Sequence, residues 1–113
     1  MFETITRHCE QLGKSCRSIS DLLHDLYSFM ETHPEMNLKN YRKILEEYGL
    51  EWSSSSIENA DIDGLDSRGL LALLVSAFRA DHFSNGYFET LVEKELVQKW
   101  LLRLKQLDMG NKL

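Results

Sequence analysis

The chain has a single proline, two cysteines and no apolar run longer than Leu70 to Val75. A helix that crosses a membrane needs about 20 apolar residues, so that run excludes a spanning segment. The start, Met1-Phe2-Glu3-Thr4, has no basic stretch followed by an apolar one, which argues against a secretory leader and for the cytoplasm. Cys9 and Cys16 lie on one expected helix with about 10 Å of rise between them. A disulfide needs Cα atoms roughly 4.4 to 6.8 Å apart, so they read as reduced, buried thiols. Bases are also short, at 13 Lys and Arg against 18 Asp and Glu, and the net charge of −5 argues against direct nucleic-acid binding. The six glycines are scattered as turn and cap residues and form no phosphate cradle.

What is present suits one compact helical domain spanning residues 1–113: 42 % apolar residues, 27 % charged, and length enough to bury a core without staples. Phe2, Ile5, Cys9, Leu12 and Cys16 repeat at helical spacing and predict a first helix over about 2–16. Ser20 is the expected cap of a second, carrying Leu22, Leu23, Leu26, Phe29 and Met30 and ending before His33-Pro34. Asn37 is the expected cap of a third, with Leu38, Tyr41, Ile44, Leu45 and Tyr48, closed by Gly49 in the left-handed region and Leu50 behind it.

From about 51 to 66 the periodicity stops. Trp52, four consecutive serines and the acids Glu51, Glu58, Asp61, Asp63 and Asp66 read as an acidic, serine-rich loop, with at most a minor strand near 50–58. Asp66 or Ser67 caps a fourth helix to about Arg79 that is apolar around most of its girth, as a helix in the middle of a bundle is. Short helical segments follow over about 87–93 and 95–107, where Leu102 projects opposite the apolar face. The expected fold is all-α, an irregular bundle of five or six helices.

Between the two most apolar helices stands Arg79-Ala80-Asp81-His82-Phe83-Ser84-Asn85-Gly86. Asn85 and Gly86 suit a chain reversal, Ser84 or Asn85 suits a cap for the helix at Tyr87, and Phe83 is expected to point into the core. The plain account of Arg79 and Asp81 is a surface pair at a capped turn. The functional account makes Arg79, Asp81 and His82 a compact titratable trio.

Residues 66–108 also resemble a family of short bacterial proteins classed as a domain of unknown function. In that family an apolar helix ends in Arg-x-Glu-Arg-Phe, passes through a polar pair to Gly, and closes on a leucine helix. Arg79, Phe83 and Gly86 match, Asp81 takes the acid's place, His82 stands where the family has arginine, and Arg103, Leu104 and Leu107 fit the closing helix. The resemblance implies a fold unit and a bacterial, phage or mobile-element source, and it brings no activity.

Chemical motifs are thin. Asn59-Ala60-Asp61-Ile62-Asp63-Gly64 copies the first half of an EF-hand loop, but Leu70 stands where the bidentate Glu belongs, so a solvated capping loop is the better account. His8, Cys9, Cys16, His24, His33 and His82 lack zinc spacing, and Ser53 to Ser56 lack a nucleophile turn, so neither metal, cofactor nor catalytic residue is expected. A helix-turn-helix would present Glu89 and Glu93 to DNA phosphates. The leading expectation is a non-catalytic protein-binding or regulatory module whose partner is another protein or a second copy of itself. Its expected surface is Trp52, Leu102, Arg79, Asp81, His82 and the acids Asp61, Asp63 and Asp66. The alternative is a phage or mobile-element inhibitor, anti-CRISPR-like, whose acids imitate phosphates; third stands a small enzyme or DNA-binding protein.

Overall fold

The computed structural model describes residues 3–6, 8, 16–83 and 86–110. They form an all-α bundle with no strand among the described residues: α1 (Glu3–Thr6), α2 (Cys16–Thr32), α3 (Tyr41–Glu47), α4 (Ser54–Glu58), α5 (Ser67–Phe83), α6 (Tyr87–Glu93) and α7 (Leu96–Gly110). None of these helices is long and apolar enough to cross a membrane. Most of the expected first helix, including Cys9, lies outside the described residues, as does the side chain of Cys16. Ile5 of α1 is fully buried in the core.

α2 begins four residues before the expected cap, so Ser20 sits inside it. Ile19 extends the stripe of Leu22, Leu26 and Phe29 towards the N-terminus and packs on the same core, which outweighs a capping preference. The helix ends as expected: the Thr32 hydroxyl donates to the carbonyl of Ser28, and Pro34 opens a 3₁₀ turn (Pro34–Met36). Asn37 does not cap α3. It takes a left-handed conformation, φ 55°, between that turn and a second one (Leu38–Asn40), and α3 starts only at Tyr41. Asn accepts that backbone more readily than other side chains, and the bend lets Leu38 be buried. The C-terminus of α3 follows expectation: Gly49 has φ 76°, its N–H donates to Glu46, and the Leu50 N–H donates 2.8 Å to the Leu45 carbonyl.

The acidic stretch is helical in part, with no strand near 50–58. Ser53 takes an extended conformation and its hydroxyl accepts from the Ser56 N–H at 3.2 Å, which starts α4. Serine weakens a helix interior but favours its cap, so one serine starts the turn and buried Ile57 holds it down. A 3₁₀ turn (Ile62–Gly64) and buried Leu65 then lead into α5.

Asp66 caps α5 as anticipated, its carboxylate accepting from the Gly69 N–H at 2.9 Å. From Leu70 to Ala77 every residue is buried, because α3, α4, α6 and α7 all pack around this helix. Ser76 is buried without loss, since its hydroxyl donates 2.7 Å to the Leu73 carbonyl. α5 continues past Arg79 to Phe83, one turn beyond expectation. Nothing in Ala80-Asp81-His82-Phe83 breaks a helix, so the reversal waits for Gly86, whose φ is 87°. Ser84 and Asn85 lie outside the described residues.

Leu73 is completely buried in α5. Leu73→Ala therefore lowers stability by about 2–5 kcal/mol in urea unfolding, since its neighbours belong to other helices and cannot all collapse into the space.

Candidate functional site

Arg79 and Asp81 lie two residues apart on α5 and face different hollows. Arg79 lines one with Tyr27, Lys39 and Tyr41, while Asp81 lines another with Ile19, Leu23 and Phe88. The side chain of His82 lies outside the described residues. The expected trio therefore does not form one pocket, because positions i and i+2 of a helix point apart. Arg79 and Asp81 each meet partners within the fold. The Asp81 carboxylate accepts from the Phe88 N–H at 3.1 Å, at the start of α6, where the cap residue Gly86 has no side chain to offer. The Arg79 guanidinium faces the phenol oxygens of Tyr41 and Tyr27, which hold its proton still more firmly than usual.

The acids of 51–66 lie mostly at the surface, where several meet a partner. Glu58 pairs with Lys94 at 2.6 Å, Asp63 lies 3.9 Å from Arg103, and Asp61 accepts from the Asp63 N–H. Asp66 accepts a short hydrogen bond from the Tyr48 hydroxyl as well as capping α5. Burial alone would raise its pKa, but Tyr48 and the backbone N–H groups of Gly69 and Arg68 hold it below the ordinary value. Partial burial and the Asp66 carboxylate push Tyr48 up to about 12. Among the described residues no three His, Cys, Asp or Glu side chains gather as a cation would require.

Trp52 marks a different place. Its ring is half-buried, its indole N–H donates 2.9 Å to the Ser76 carbonyl of α5, and the Tyr41 ring meets it edge-on with centroids 5.6 Å apart. Beside it opens a hollow of about 500 Å³, walled by Trp52, Ile57, Ala80 and Tyr87, with Ser53 and Ser54 on the rim. Arg42 of α3 lies over the indole face, 4.0 Å from its centroid, and has no carboxylate partner among the described residues. The hydroxyl of Tyr87 is buried on this wall without a hydrogen-bond partner, and burial followed by nearby Glu58 pushes it up to about 12. An apolar hollow with a preoriented cation and an unsatisfied hydroxyl has the composition of a ligand site.

Of this group only Trp52 stood out in the sequence. Arg42 reads as one exposed charge on α3, and it reaches Trp52 only because the left-handed turn at Gly49 folds the chain back on itself. Leu102 is 48 % exposed, as its position opposite the apolar face of α7 predicts. Among the described residues Tyr27, at 42 %, is the other large exposed apolar side chain. A further feature is internal: buried His8 lies 2.6 Å from Asp25 through Nε2, while its Nδ1 has no partner.

No family model, no curated protein and no solved structure matches the chain, so no relative supplies a function to carry over.

Two outcomes follow from this geometry. Asp81→Ala costs about 1 kcal/mol in chemical denaturation by uncapping α6, and Asp81→Asn, which keeps an acceptor oxygen, costs less. Tyr48 and Tyr87 are both raised to about 12 in the fold, whereas an unfolded chain releases those protons near 10.0. Their contribution is complete below pH 10.0 and disappears as pH rises towards about 12. The urea midpoint should fall across that window, and fall less steeply in a Tyr48→Phe/Tyr87→Phe variant.

Proposed function

We propose that this protein is a non-catalytic binding module that captures a segment of another protein in the hollow beside Trp52. The observation that carries the reading is the hollow itself: about 500 Å³ of largely apolar space with an aromatic anchor at its edge. Trp52 is held by the Ser76 carbonyl and the Tyr41 ring, so little side-chain freedom is left to lose when a partner docks. Aromatic and arginine side chains dominate protein interfaces once a partner desolvates them, and Trp52 with Arg42 over its ring is a pair of that kind. Leu102, on the outer side of α7, offers a second contact.

The test is selection of displayed peptides on the folded protein, followed by nitrogen-resolved NMR. Selected peptides should shift the indole N–H of Trp52 but not that of buried Trp100, and lose at least about tenfold in affinity for Trp52→Ala. Ala80→Leu, which fills the hollow and keeps Trp52, should do the same. Peptides that bind both variants as well as the parent, or that shift only residues around Leu102, would sink the proposal.

A further inference from the structure

The hollow beside Trp52 has two polar groups that the fold leaves unanswered. A guanidinium carries five N–H donors in its plane, and an arginine lying over an aromatic face keeps those edges open to a second acceptor. Arg42 occupies that position over Trp52, and no acceptor among the described residues takes one of its donors. Tyr87 supplies the other, a buried O–H with no partner. Tyr87 walls the same hollow, and an acceptor that reaches its closed-off hydroxyl removes that deficit. Between them the walls are apolar: the indole, Ile57 and Ala80. An occupant must therefore join an apolar body to an anionic head.

Resting on the binding-module reading, we infer that the hollow takes the C-terminal residue of a partner chain, its free carboxylate on Arg42 and its apolar side chain against Trp52 and Ile57. The last residue of a chain carries both groups on one Cα. An internal Asp or Glu spends its side chain on the charge, and it draws a peptide group on each side into walls with few polar atoms to satisfy them. The net charge of −5 gives no general attraction for acids, so recognition depends on the local Arg42 contact.

The probes are N-acetyl-leucyl-phenylalanine with a free carboxylate, the same dipeptide as its amide, and an amidated peptide with an internal aspartate, N-acetyl-phenylalanyl-aspartyl-phenylalaninamide. Affinity is read from the Trp52 indole N–H signal. The free acid should bind about tenfold more tightly than either amide, the size of a charge-assisted hydrogen bond. Arg42→Gln should erase that preference, Arg42→Lys should keep part of it, and Tyr87→Phe should weaken the acid while leaving a preference. Arg42 is exposed, so its variants keep the fold. Equal binding of acid and amide, an internal aspartate bound as well as the free acid, or a preference that survives Arg42→Gln would overturn the inference. If displayed peptides dock at Trp52 with no need for a free carboxylate, this inference alone falls. If nothing docks at Trp52, the binding-module reading falls with it.

Discussion

Every other part of this fold answers to the need to cover α5 on all sides. A helix with an unbroken buried run from Leu70 to Ala77 has no solvent face in its middle, so four other helices must enclose it. That burial is the main stabilising term in so small a protein. It also sets limits, because a helix walled in on every side admits a polar side chain in its middle only if the helix itself satisfies it, as the Leu73 carbonyl does for Ser76. Asp66 fixes the beginning through the Gly69 N–H, and Gly86 supplies the backbone needed to leave.

The hollow beside Trp52 is a by-product of the same arrangement. α5 contributes its floor at Ala80 and, one turn earlier, the Ser76 carbonyl that orients the indole. α3 brings Arg42, the segment after Gly49 brings Trp52, α4 brings Ile57, and α6 brings Tyr87. α4 and α6 are themselves tied by the Glu58–Lys94 pair, and α6 is tied to α5 by Asp81. Asp81 and Glu58, which stand out as charges in a linear reading, thus brace neighbouring helices. Beside Trp52, the hollow is lined by Arg42 and Tyr87, which the linear reading passes over.

Legibility follows the range of the interactions. Signals completed within a few residues were readable: the Asp66 cap, the Gly49-Leu50 closure of α3, the span of α6, the all-round apolarity of α5 and the outward Leu102. Misreadings arise where tertiary contacts compete with local preference. Ile19 draws α2 past Ser20, and burial of Leu38 bends the chain at Asn37. A serine run that looks like a flexible loop is held as a helical turn by one cap and one buried isoleucine. The site was legible only at Trp52. Its cation and hydroxyl come from elements distant in the chain, and Asp81 shows its cross-helix role only once α6 is folded back.

Tyr41 lines the hollow at Arg79 and touches Trp52, which walls the other. Its ring meets Trp52 edge-on, and its hydroxyl faces Arg79 on the other side, where Tyr27 and Lys39 complete the lining. Rotation about Cβ–Cγ would leave the phenol oxygen on its axis, but a swing about Cα–Cβ carries the ring and the oxygen together. The Trp52 ring and the Arg79 guanidinium therefore rest on one side chain. Anything that displaces Tyr41 as a whole disturbs the Trp52 packing and the surroundings of Arg79 at once, a connection carried by a single residue.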